Sequence, residues 1–154
     1  MAVWERAGVH SPTFAASRPD IDVAVLQYGT NDAPHIDGRL DDYLAALRSA
    51  LRQFRVAYPG VRCVLIGPPD RGGQARGIDH SLLHTLVARA QQRVGREFDC
   101  DFWDWQAQMG GRGSAAAGVA RTPPVMHRDR VHMTSLGYRD SGLAFGSWLM
   151  QHRL

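Results

Sequence analysis

The chain has 154 residues, 44% of them hydrophobic, and a formal net charge of +3. That length holds one domain with a real core, and the composition is ordinary for a globular protein. No apolar run approaches a membrane span, and the basic residues, all Arg, are spread along the chain rather than set in a stripe with aromatics; a spanning helix is excluded and nucleic acid is not an expected partner.

The start, "MAVWERAGVHSPTF", has no apolar h-region of the kind a signal peptide needs. Ser11-Pro12 and Arg18-Pro19 mark loop in the first 20 residues. Residues 21–27 form a strand whose near-continuous apolar character fits burial on both faces. It stops abruptly on Tyr28-Gly29-Thr30-Asn31-Asp32. Asp37 is placed to cap a helix over 38–58, with Leu40, Tyr43, Leu44, Leu47, Leu51 and Phe54 in one stripe. Pro59-Gly60 ends it. A second buried strand over 61–66 closes on Gly67-Pro68-Pro69, and "DRGGQARG" follows as a loop. Asp79 caps a helix to about residue 98, with Leu82, Leu83, Leu86, Val87, Ala90 and Val94 inward. A short strand spans 100–103. Residues 104–128 lack periodicity; "MGGRGS" reads as loop and "AAAGVA" as a helical turn. Thr134-Ser135 caps a last helix over 136–152, with Tyr138, Phe145, Trp148 and Leu149 inward.

Strand and helix alternate, which predicts an α/β fold with a parallel sheet in a single domain. In such sheets ligands lie beyond the carboxyl ends of the strands. Gly29 to Asp32, Gly67 to Asp70, and Asp104 all fall at such ends. The two cysteines, Cys63 and Cys100, sit in or beside apolar runs and read as small buried thiols, with a disulfide between them left open.

Two short signals carry chemistry. One is Gly29-Thr30-Asn31-Asp32; the other is Asp129-Arg130-Val131-His132, just before the last helix. A carboxylate three residues before a His can accept a hydrogen bond from one ring nitrogen, fix the tautomer and leave the other nitrogen free to take a proton from a nucleophile. The Asn31 amide offers a donor; aimed at a developing oxyanion, such a donor lowers a barrier by about 3–4 kcal/mol. Taken singly, Gly-x-Asn-Asp is also a common turn and Asp-x-x-His also a common surface pair. Their order and placement together give the pair its weight.

"VLQYGTND", "LIGPPD" and "DRVHMTSLGY" resemble the SGNH hydrolases, also called GDSL-type esterases and lipases. The resemblance covers about residues 21–152. It implies a flavodoxin-like three-layer α/β/α fold and ester hydrolysis without metal or cofactor. It makes His132 the general base, Asp129 its orienting partner and Asn31 an oxyanion donor. The stretch from "FWDWQAQMGG" to "PPVMHRDRVHMTSLGY" is similar to bacterial members that deacetylate cell-wall or other polysaccharides, so a small-molecule or carbohydrate ester is the implied substrate. Many relatives of this type work in the bacterial envelope.

One departure matters. The family's nucleophilic Ser lies in a Gly-Asp-Ser run after its first strand, and this sequence has no such run. Gly8 stands about where the family's second block supplies an oxyanion-hole backbone N–H. The expectation is therefore a single domain over 1–154 that lacks the first strand and its Ser. Three readings follow: the carboxyl part of a longer serine hydrolase; a chain in which Ser11 replaces the nucleophile, although Ser11 before Pro12 is better explained as loop; or an inactive relative that binds without cleaving. O-acetyl transfer uses the same residues and stays open. A missing first strand would leave a gap in the sheet, to be closed by the missing segment or by pairing with another chain, a homo-oligomer included.

Gly29, Asp32, Trp105 and Met109 are candidates for the substrate pocket, Trp105 and Met109 being equally readable as core. His80 and His84, four apart on a helix, have metal-ligand spacing. No third ligand is evident, so a solvated face or a helix-start role is the better reading.

Overall fold

A computed structural model describes residues 21–36, 40–75 and 77–152. Among these residues three parallel strands form the main sheet: β1 (Val23–Gln27), β2 (Arg62–Ile66) and β5 (Cys100–Trp103), in the order β1-β2-β5. Their register aligns the carboxyl ends, with Gln27 opposite Ile66 and Ile66 opposite Trp103. A tiny antiparallel pair, β3 (Gln74–Ala75) and β4 (Ile78–Asp79), interrupts the loop after β2. The helices are α1 (Leu40–Ala57), α2 (His80–Glu97), α3 (Trp105–Met109), α4 (Ser114–Ala120) and α5 (Ser135–Gln151), with a 3-10 turn over Ala33–His35.

Because strand side chains alternate, the sheet has two distinct faces. Ala24, Leu26, Cys63, Leu65, Cys100 and Phe102 point to one face and meet Tyr43, Leu44, Leu47, Leu51 and Phe54 of α1 with Leu83, Val87, Ala90 and Val94 of α2. The other face carries Val64, Ile66 and Trp103, all buried. There Phe145 of α5 packs against the Trp103 ring at 5.1 Å between centroids. Helices on both faces of a parallel sheet make the three-layer α/β arrangement. Near β1 the second face is less covered, with Val23 and Val25 exposed; among the described residues β1 pairs on one side alone.

The local signals explain the element ends. Asp79 accepts from Ser81 N–H and starts α2; Thr134 Oγ1 accepts from Gly137 N–H and starts α5. The expected cap at Asp37 lies outside the described residues.

Several expectations need correction. Cys63 and Cys100 are joined as a disulfide, the alternative left open, rather than kept as free thiols. They are register partners on neighbouring strands, so both thiols are brought to one point. Within residues 104–128, α4 covers the "AAAGVA" stretch read as a helical turn, while α3 forms where no element was expected: Asp104 caps it through Ala107 N–H, and Gly110 ends it in the left-handed region at φ 113°. Helix α2 is rotated from the expected face, since Leu82 and Leu86 are exposed while Ser81, His84 and Gln91 are buried. On α5 Tyr138 is exposed rather than inward. None of the described helices is long and apolar enough to cross a membrane.

Candidate active site

The Gly29–Asp32 segment leaves β1 in a tight turn closed by Ala33 N–H donating to Gly29 O at 2.9 Å. Gly29 is required by both geometry and space. Its φ is 99°, and a Cβ there would lie 2.7 Å from Val87 Cγ1. Gln91 fastens the same turn to α2 by donating to Tyr28 O and to the Tyr43 hydroxyl. Burial pushes the Tyr43 phenol well above its usual range, helped by the Asp32 charge and opposed by the Gln91 bond. With Gly29 held down, Asn31 stands exposed past the strand tip, and its side chain has no hydrogen bond to any described residue.

Asp129 and His132 lie in a second turn. Met126 and Met133 bridge its base, His127 N–H donates to His132 O, and Arg130 N–H donates to His127 O. Arg130 adopts φ 57° at its tip. One Asp129 oxygen, Oδ1, accepts from the backbone N–H of Val131 and of His132; the other, Oδ2, lies 2.8 Å from His132 Nδ1. The His132 bond, followed by those two backbone bonds, holds the Asp129 carboxyl well below the usual carboxylate range. His132 Nε2 has no partner among the described residues, and the side chain is 69% exposed. The dyad therefore presents a basic nitrogen outward, with its tautomer fixed from behind.

Both turns belong to the carboxyl edge of the sheet. Asn31 follows β1. The Asp129–His132 turn is tied to the loop after β2, where Gly72 N–H donates to Arg130 O at 2.8 Å. Since β1 and β2 are neighbours with aligned ends, the two motifs share one edge of the molecule. Gly8 and Ser11 lie outside the described residues.

The other predicted pocket residues divide. Trp105 stacks on the buried Trp103 and donates from Nε1 to Ser141 Oγ at 3.0 Å, which fastens α3 to α5. Met109 lines a cavity of about 140 Å³ with Met126, Met133, Arg121, Asp140 and Ser141. Gly29 is buried against α2, and Asp32 is half-buried at the turn.

A polar cluster behind the edge was not expected from the sequence. Asp70, only 1% exposed, accepts from the Ser81 hydroxyl and from Gln106 Nε2 on Oδ1, and from Ala115 N–H on Oδ2. Burial pushes its carboxyl up, but the hydrogen bonds outweigh this and the net shift is downward. His84, expected on a solvated face, is fully buried and donates from Nδ1 to Pro69 O at 2.5 Å. Its Nε2 is buried without a partner, and burial lowers the tendency of the ring to protonate. The signal was present: Ser81, His84, Ala88 and Gln91 repeat at helical spacing, and the leucines beside them drew the inward face to the wrong side. Among the described residues no group of three or more His, Cys, Asp or Glu side chains is placed to hold a metal.

Residues 3–139 match the GDSL-like lipase/acylhydrolase family. The chain belongs to that family. Two solved structures share its fold. A peptidoglycan O-acetylesterase superposes with a TM-score of 0.73 at 27% identity, over 84% of this chain and 37% of the other. The native aryl esterase of M. smegmatis superposes with a TM-score of 0.61 at 18% identity, over 91% of this chain and 65% of the other. This chain thus spans less than two thirds of either neighbour. No curated protein sequence matches it.

Proposed function

We propose that this acylhydrolase-family chain supplies the acid–base pair and an oxyanion donor for hydrolysis of an ester, and that the ester is an O-acetyl group on a carbohydrate. The observation that carries the reading is the 2.8 Å contact between Asp129 Oδ2 and His132 Nδ1, with Nε2 left outward. The tautomer bearing hydrogen on Nδ1 leaves an Nε2 lone pair for a Ser hydroxyl. As the Ser oxygen attacks the carbonyl, its proton passes to Nε2, and Asp129 stabilises the imidazolium. The Asn31 amide donates to the oxygen that gains charge. Collapse of the tetrahedral adduct expels the alcohol, which takes the proton from Nε2. Water then repeats the sequence on the acyl-enzyme and releases the acid. A sugar hydroxyl in place of water would make the same site a transferase. The carbohydrate assignment is supported by the peptidoglycan O-acetylesterase neighbour.

The nucleophile is proposed to come from a Ser-bearing strand, outside these residues, that pairs with the second side of β1. The lack of a Gly-Asp-Ser run favours a second reading for the chain by itself: a binding module with the family fold. Release of nitrophenol from p-nitrophenyl acetate tests both. The chain joined to its upstream coding segment is expected to turn over. His132→Ala is then expected to lower kcat by about 10³-fold or more, and Asn31→Ala by about 10²–10³-fold. No turnover in either form would remove the hydrolase reading and leave the binding module.

A further inference from the structure

Resting on the assignment of Asp129 and His132 as the acid–base pair, we propose that the buried carboxylate of Asp70 is a positioning residue for that pair, acting through Gly72 and the backbone of Arg130. Asp70 takes hydrogen bonds from three separate elements: Ser81 on α2, Gln106 on α3 and the first turn of α4 at Ala115. Gln106 is itself anchored, donating to Ser81 O and accepting from Thr85 Oγ1 at 2.7 Å. Asp70 N–H also points to Met109 Sδ at 3.3 Å. The loop after β2 is thus pinned at Asp70 from several directions.

Two residues on, that loop touches the dyad turn. Gly72 N–H donates to Arg130 O, and Gly72 packs so closely on Arg130 that a Cβ would lie 2.7 Å from Arg130 Cβ. Arg130 sits between Asp129 and His132 in a left-handed conformation that costs free energy for a residue with a side chain. The dyad is well exposed and receives little packing of its own. An external clamp on its central residue therefore adds to the turn's own hydrogen bonds in holding it. Asp70 touches no reacting atom; its effect passes through Gly72 and Arg130.

The test is the ring tautomer of His132, read from long-range ¹H–¹⁵N correlations on ¹⁵N-histidine-labelled protein at a pH where the ring is neutral. The expected wild-type state has hydrogen on Nδ1. Asp129→Ala removes the acceptor and is expected to move the ring toward the Nε2–H form that free imidazole side chains favour. Asp70→Asn withdraws one acceptor and sets an amide N–H₂ against existing donors. Gly72→Ala pushes Arg130 away without touching the buried network. Both are expected to move His132 in the same direction as Asp129→Ala while the amide spectrum stays folded. If Asp70→Asn does not fold, Gly72→Ala carries the test of the clamp, and Ser81→Ala, which removes one donor to Asp70, carries that of the carboxylate. A wild-type tautomer in the folded clamp variants, together with a shift in Asp129→Ala, overturns the positioning role and leaves the acid–base pair intact. No shift in Asp129→Ala overturns the pair itself, and the positioning role with it.

Discussion

Gly29 shows why a short motif can carry more structure than chemistry. Its φ of 99° and its contact with Val87 act together: a side chain would be strained by the backbone and would also collide with α2. Gly60 has a similar φ of 85° but nothing within 4 Å of an added Cβ. The two positions separate the costs. Gly60→Ala is expected to lower stability by about 1 kcal/mol, the left-handed penalty alone. Gly29→Ala is expected to cost about 2–4 kcal/mol, because overpacking adds to it. Urea unfolding midpoints measure both, and equal losses would show that the α2 contact relaxes freely. The glycine in the Gly-x-Asn-Asp pattern thus seats the turn, and Asn31 is left as the residue with an outward donor. Residue identity and spacing made Asn31, Asp129 and His132 legible. They did not make Asp70 legible, because its partners come from α2, α3 and α4, which only folding brings together.

At the scale of elements, the long amphipathic stretches were readable and the short ones less so. Helix α1 matched its stripe because every apolar position at helical spacing faces the sheet. Helix α2 did not, since its buried face mixes Leu83, Val87 and Val94 with Ser81, His84 and Gln91, each given a specific partner. Helix α3 was not legible because it is short and depends on its Asp104 cap rather than on an apolar stripe, whereas the run of alanines in α4 was readable as a helical turn. Joints between elements are also invisible to periodicity. Arg55, near the end of α1, donates to three carbonyls: Phe98 O, Val61 O and Asp99 O, at 2.7–2.8 Å. It ties α1 to the turns that enter β2 and β5. Arg55→Ala is expected to cost about 2–3 kcal/mol, since charged donors leave partly buried carbonyls unpaired. Arg48, on the same helix, pairs with Glu97 at the surface, and Arg48→Ala is expected to cost far less. Thermal unfolding of the two variants side by side checks the contrast; similar losses would mean that Arg55 acts only as a surface charge.

For the whole molecule, the buried polar cluster predicts how the fold responds to acid, in two stages. His84 is buried with Nε2 unpartnered, so the folded state resists protonating it while the unfolded chain does not. Its folded pKa is lowered, chiefly by burial; the unfolded chain therefore binds the extra proton first, and stability begins to fall as pH drops below about 6.5, the ordinary histidine value. Asp70 belongs to the second stage. Its folded carboxyl is also held below the ordinary value, so its contribution is full above about pH 4 and is lost as pH falls through the folded pKa. Asp129 and Glu97 shift in the same direction but are exposed, and solvent screens their share. Urea midpoints measured from pH 8 to pH 3 should therefore show a first decline between about 6.5 and 4 and a second below it. His84→Gln is expected to flatten the first decline and leave the second. Asp70→Asn is expected to be destabilised at pH 7 and to converge on the wild type as pH approaches 3. A first decline that survives His84→Gln would detach acid sensitivity from the cluster that underlies the site.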